Sequence, residues 1–453
     1  MMTENVYARW LNEDNDLCVP VIDQQQIDAI LNETIARVVM QLGPGPKPAV
    51  VLDLEHLQVV DYGSFGGVSE EQQRFIASLH AAEPIRAEEM LFLGLRSLFQ
   101  STWPWPESND DIRFAAAYDF VLNEILVNTA LELAGKFRAP TALLPYWGRL
   151  SFLRVMGDLP DDNVARYGLD KVVCTLVKRS KFNATTFALQ NGPVVAANYA
   201  LEPILKHLNR YLLHYFATRE MAGPKRLERA WEGIVPTVLH FWSDVAATRL
   251  TRSSTILYEE KMAVTAHRLT AEQLDFIVMH ELGHVALDHP RRLKAENSAG
   301  QDVRMVRHEF EFAADAFGLG LMRSKLIRNI RGASEAPDQT DSARISRVTD
   351  TLHEYQTGLG GVYLLFAYMD FIQRAGELLH DRLAGQLKMR ERMDSHPRAS
   401  ARLERLEVTN LGEYLYTSPI ERYSRTFLQD VLDFASGLDT ERLLNSVRET
   451  SPA

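Results

Sequence analysis

Cysteine is nearly missing: Cys18 and Cys174 are the two thiols among 453 residues. Two thiols cannot staple a chain of this length, so its core must hold without disulfides, and the count fits a reducing compartment. No run reaches the ~18–20 apolar residues that span a bilayer. The nearest, Gly358 to Ile372, is interrupted by Asp370 and reads as a buried core helix. Basic charge is in deficit, 49 Lys+Arg against 60 Asp+Glu for a formal net of −11, which argues against a dedicated nucleic-acid binder. The opening residues, Met1-Met2-Thr3-Glu4-Asn5-Val6, carry acid and amide where a secretion signal carries basic residues and then an apolar run. No internal repeat or low-complexity tract stands out. The expectation is a soluble, cytoplasmic protein without a membrane span.

The content that is present is ordinary for a globular chain, 46% hydrophobic and 24% charged, and the length suffices for two or three domains. Gly43 to Pro48, Trp103 to Ser108 and the polar run Gly332 to Ser342 punctuate it. Helical spacing of apolar residues predicts helices over Ile22 to Met40, Arg113 to Leu133, Leu201 to Arg219 and Lys225 to Leu239, the last ending near Pro236. Ala49 to Leu54 reads as a short buried strand, and the polar residues after it (Asp53, Glu55, His56, Asp61, Tyr62) read as strand-end polarity. The predicted organisation is a mostly helical region over 1–225, with a break near 101–108, and a second domain over 226–453. The fold class is α+β and predominantly helical.

Chemistry concentrates between Leu269 and Val285. Thr270 followed by Gln273 has the form of a capping box, which predicts a helix start there. Leu274, Val278, Leu282 and Val285 form an apolar stripe that would anchor this helix. His280 and His284, one turn apart, project from the opposite side. Such spacing lets two imidazole nitrogens reach one metal ion of Zn²⁺ size at about 2.0–2.1 Å. Between them, Glu281 is turned too far to join as a ligand, but it can reach a metal-bound water and take its proton. Gly283 permits close approach of another element or a substrate. A second acidic helix is expected over Asp302 to Leu321, where Glu311 and Asp315 share a face. Glu311 would complete a His-His-Glu set with the fourth position open, as in a catalytic rather than a structural zinc site. Its rival Glu309 points roughly 160° away around the helix. Asp315 suits the place behind a ligand imidazole, accepting its free N–H.

His280-Glu281-Leu282-Gly283-His284 followed by Glu311-Phe312-Ala313-Ala314-Asp315 resembles the gluzincin zinc metallopeptidases, and within them the M48 group, with its H-E-x-x-H and E-x-x-A-D pattern. Ser395 to Leu403, containing His396-Pro397 and Arg402, is similar to that group's downstream His-Pro and arginine-bearing helix. The short gap from His284 to Glu311 and the run Glu311 to Phe317 are similar as well to the intracellular ImmA/IrrE-type peptidases, which cut repressors. The resemblance covers roughly residues 250–410. It implies a zincin-like domain with a small antiparallel sheet, Zn²⁺ on His280, His284 and Glu311, Glu281 as base and Asp315 behind a ligand histidine. It also implies that Thr255 to Val264 is an edge strand that pairs with an extended substrate.

Other polar residues have competing readings. His289 sits too close to His284 for the third histidine of a metzincin and reads as a helix C-terminal residue before Pro290. His396 and Tyr355 are candidates to bind substrate or its oxyanion, as is His353. Arg291, Arg292, Lys294, Arg304 and Arg307 read as a solvated face. The expected function is a cytoplasmic zinc-dependent endopeptidase acting on a protein or peptide substrate through Glu281-activated, zinc-bound water. The alternatives are a catalytically silent metal-bearing sensor or scaffold, and an autoinhibited defence or toxin-like protease held by the region before residue 225.

Overall fold

The computed structural model describes residues 62–64, 68–82, 152, 155–157, 159–177, 183–198, 201–220, 223, 225–242, 260–298, 303–335, 340–383, 385–387, 389, 396–408 and 419–448. The expected helices over 22–40 and 113–133, the strand over 49–54 and the break near 101–108 lie outside these residues. In chain order the described elements are β1 (Tyr62–Ser64), α1 (Glu70–Ala82), α2 (Asp161–Tyr167), β2 (Val173–Val177), β3 (Ala184–Phe187), β4 (Val194–Asn198), α3 (Leu201–Ala217), α4 (Arg226–Trp242), α5 (Glu260–Ala286), α6 (His289–Ser298), α7 (Val303–Glu335), α8 (Asp341–Leu383), α9 (Ala399–Leu406), α10 (Pro419–Gly437) and α11 (Thr440–Arg448). The described residues are predominantly helical with one small sheet.

That sheet is mixed, not purely antiparallel. Its order is β1-β2-β4-β3. β2 and β4 run parallel with Val173 opposite Val194, while β1 and β3 join at the two edges in antiparallel sense. β4 (Val-Val-Ala-Ala-Asn) is buried along its whole length, so its side chains show no alternation. α1 braces the sheet through a true capping box. Ser69 N–H donates to Gln72 Oε1, the Gln72 N–H donates to Ser69 Oγ, and the Gln72 amide donates onward to the carbonyls of Lys171 and Pro193. Gly192 passes under this amide at φ 134°, where a Cβ would lie 2.7 Å from the Lys171 carbonyl oxygen.

α5 is the central element, packed against α3, α6, α7, α8 and β3. It begins at Glu260, a full ten residues before the expected capping box. Residues 260–264 are therefore helix rather than edge strand, and 255–259 lie outside the described residues. Glu260 to Leu269 contains no Gly or Pro to stop the helix from extending back. Thr270 then sits inside it, donating to the Ala266 carbonyl at 2.7 Å. Gln273 turns into the core instead of back to a helix end. Asn209 on α3 donates to both Thr270 Oγ1 and Gln273 Oε1, Tyr368 on α8 donates to Asn209 Oδ1, and Gln273 donates to the Gly361 carbonyl. This buried chain of satisfied donors and acceptors fixes α3, α5 and α8 in one register.

The helices over 201–217 and 226–242 agree with the apolar spacing, but α4 runs through Pro236 to Trp242. Its buried face of Ala230, Trp231, Ile234, Val235, Val238 and Leu239 outweighs the lost N–H. The apolar run Gly358 to Ile372 is the buried middle of α8, as expected. One hydrophobic cluster gathers residues from Phe152 to Val447, including Leu205, Leu208 and Leu212 of α3 and Phe276, Val278 and Leu282 of α5. No described helix is long and apolar enough to cross a membrane.

Candidate metal centre

α5 and α7 cross at two small positions, and that crossing brings the site together. A Cβ on Gly283 would lie 3.1 Å from both the Cα and the carbonyl oxygen of Ala314; one on Gly318 would lie 3.0 Å from the backbone nitrogen of His280. Larger residues at either place would hold the helices apart. Lys325 of α7, almost wholly buried, locks the same pair by reaching Asp275 at 2.7 Å and Glu272 at 3.2 Å. The apolar anchors Leu274, Val278 and Leu282 are buried, and Val285 is half-buried. The other side of α5 is not solvent but α7, so His280 and His284 project into the crevice between two helices.

There His280 Nε2 and His284 Nε2 lie 3.1 Å apart, and each lies 3.6 Å from a carboxylate oxygen of Glu311. Among the described residues these three form the one group of His, Cys, Asp or Glu side chains with ligand atoms mutually within 4.8 Å. Tetrahedral bonds of about 2.0–2.1 Å require ligand atoms about 3.3 Å apart. The spacing fits an ion of that size, and the two neutral nitrogens plus one carboxylate are a donor set that zinc accepts. Burial holds His284 far below the ordinary imidazole range, with His280 and His289 adding to it. Its Nε2 is thus an available lone pair, as a metal ligand requires.

Asp315 lies beside the first histidine, with Oδ1 2.9 Å from His280 Nδ1. Burial opposes charge on both partners. The Arg402 guanidinium nevertheless keeps Asp315 below the usual carboxylate range, and Asp315 in turn raises His280. Arg402, on α9, donates Nε and Nη2 to the two oxygens of Asp315 at 2.7 and 2.6 Å, lies 3.4 Å from Glu311 Oε2, and stacks over Phe366. A planar fork matched to a carboxylate is the geometry arginine supplies best. Glu309 points outward to Arg405, which excludes it from the group.

Glu281 is buried between α5 and the sheet. Its Oε2 accepts a 2.6 Å hydrogen bond from Thr186 of the edge strand β3. Burial raises its carboxyl above the usual range, while His280 and the Thr186 hydroxyl partly hold it down. A carboxylate so tuned is suited to take up and release a proton.

His396 lies beside the group, with Nε2 3.7 Å from Glu311 Oε1 and its side chain half-exposed. Tyr355 is half-buried against the core on α8, roughly 16 Å along the helix axis before Phe366, and His353 is exposed. Phe366, further along α8, lies beneath the Arg402 guanidinium. His289 opens α6 rather than ending a helix, and its ring is turned back to His284. Arg291, Arg292, Lys294, Arg304 and Arg307 are all exposed, a solvated face. Thr186 and the grip of Arg402 had no assigned role from the sequence, and His289 had been given only a helix C-terminal one. Arg402 alone had a signal, its place after His396-Pro397. When compared with known protein families, curated proteins and solved structures, the chain matches none.

Proposed function

We propose that this protein is a zinc-dependent endopeptidase of the gluzincin kind, acting on a protein or peptide substrate. The observation that carries the reading is the convergence of His280, His284 and Glu311 with a buried, proton-competent Glu281 in the same crevice. His280, His284 and Glu311 would hold the ion. When bound, Zn²⁺ supplies Lewis acidity, which lowers the pKa of water toward 7 and polarises a carbonyl. Glu281 then receives the nucleophile's proton and returns it to the leaving amine. Thr186 occupies Oε2 and leaves Oε1 for that exchange. Asp315 and Arg402 keep His280 in one orientation.

Among the described residues, β3 is the sheet edge that lies against α5 next to Glu281, and an extended peptide would pair with it. It takes the role the sequence had given to 255–264. A cytoplasmic setting belongs to this reading and rests on the scarcity of cysteine.

Metal analysis of the purified protein beside the double variant His280→Ala, His284→Ala is the first test. Zinc near one equivalent in the wild type and near none in the variant is expected; equal zinc in both ends the reading. Glu281→Gln should keep its zinc and lose cleavage. A survey of new peptide ends in cells carrying wild type or Glu281→Gln checks this, and identical end profiles would favour a metal-bearing scaffold.

A further inference from the structure

We propose that His289 is a positioning residue for the candidate metal centre: its Nδ1 accepts the Nδ1–H of His284 and so fixes the tautomer that presents His284 Nε2 to the ion. The inference rests on the metal reading above and adds a residue outside the H-E-x-x-H and E-x-x-A-D patterns. The two Nδ1 atoms lie 2.9 Å apart. A hydrogen bond between two imidazole nitrogens needs one donor and one acceptor. His284 Nε2 faces His280 Nε2 and the Glu311 carboxylate, the other two members of the group, so an ion held by the three takes the Nε2 lone pair and leaves the proton on Nδ1. His289 is then the acceptor, with its own proton on Nε2. Metal-binding histidines usually give their second N–H to a carboxylate or carbonyl. Here Asp315 Oδ1 lies 2.9 Å from the Nδ1 of His280, and for His284 a neutral imidazole takes that place.

The backbone is shaped to deliver that imidazole. Asp288 adopts φ 54°, the left-handed region that a non-glycine residue rarely enters, in the turn between α5 and α6. Pro290 follows at the first turn of α6, a position that needs no N–H. The His289 ring, 3% exposed, is then clamped flat against Phe310, with ring centroids 4.2 Å apart and planes 2° from parallel. Phe310 precedes Glu311 on α7, and the Arg292 guanidinium covers it at 4.7 Å. One stack therefore couples the second histidine of the group to the helix that supplies the carboxylate.

Two full-length variants separate acceptor from filler. His289→Phe keeps the ring and its stack on Phe310 but removes the acceptor. His289→Asn shrinks the ring but places Oδ1 where Nδ1 was. Zinc affinity, measured by competition with a chromogenic chelator, should fall about 10–100-fold in the Phe variant. It should stay within roughly threefold of wild type in the Asn variant, because an acceptor remains. Long-range ¹H–¹⁵N correlations of histidine-labelled, metal-free protein should show the His284 proton on Nδ1 in wild type, with the signal assigned by its loss in His284→Ala. Wild-type affinity in the Phe variant, or a His284 proton on Nε2 in wild type, overturns the inference while leaving the metal reading intact. Should the Phe variant not fold, the wild-type tautomer decides by itself. A wild type that takes up no zinc ends the metal reading, and this inference with it.

Discussion

Glu281 and Thr186 meet across 2.6 Å although 95 positions separate them in the chain, and that contact makes a sharp test of the site. Thr186→Val keeps the shape of the side chain and removes the hydroxyl. A hydrogen bond to a charged group contributes about 1.5 kcal/mol or more, which as a loss of transition-state stabilisation is about tenfold in rate. Turnover of a peptide substrate is expected to drop by about that factor with zinc content unchanged. A Val variant as active as wild type would show that the base needs no such support. The His-Glu-x-x-His set and Glu311 with Asp315 were legible because each depends on helical spacing within one segment. Thr186 was not, since no spacing rule links a short edge strand to a distant helix. His289 was misread for a related reason. The sequence shows a histidine before a proline, but not the left-handed Asp288 that turns its ring inward. The two capping-box patterns make the same point. Ser69 with Gln72 caps a helix, whereas Thr270 with Gln273 lies mid-helix, because the residues before 270 are themselves helical and Asn209 offers both side chains a buried partner.

The crossing of α5 and α7 turns on glycines whose roles differ within a single turn. A Cβ on Gly318 would lie 3.0 Å from the His280 backbone nitrogen, whereas one on Gly320 would meet nothing within 4 Å. Gly318→Val should destabilise the protein by about 1–3 kcal/mol by overpacking the crossing, and it should weaken zinc binding by moving Glu311 away from the two imidazoles. Gly320→Ala should instead stabilise by roughly 0.5–1 kcal/mol through helix propensity and leave zinc binding unchanged. Urea unfolding with zinc titration reads both. Equal shifts for the two variants would mean that the crossing tolerates a side chain. The long helices were visible in outline from their apolar spacing, and the buried middle of α8 from its continuous apolar run. The strands β2, β3 and β4 were not located. Each has five residues or fewer, and β4 is buried throughout, so the period-two signal that marks a half-buried strand is missing.

Over the whole molecule, two buried titrating groups outside the candidate metal centre give stability opposite slopes with pH. Glu421, on α10, is fully buried beside Arg425 and Glu407, and burial pushes its carboxyl up to about 7 despite the Arg425 charge. Its folded pKa thus exceeds its unfolded value of about 4.3. The native state holds the extra proton between those values, so the Glu421 contribution is complete below about pH 4.3 and is lost as pH rises through about 7. His207, on α3, behaves in the opposite way. Burial lowers it to about 4, so the unfolded chain takes up the proton first and stability is lost as pH falls from 6.5 toward 4. Glu421→Gln removes the first slope and leaves the second. The variant should melt above wild type at pH 8, where wild type buries a charge and the variant does not. The gap should close toward pH 5, where Glu421 is protonated and resembles glutamine. Thermal melts of both proteins in metal-free buffer from pH 5 to pH 8 measure this without reference to zinc. A gap that stays constant over that range would mean that Glu421 does not change its protonation there, and that the Arg425 and Glu407 pairing holds it charged in the fold.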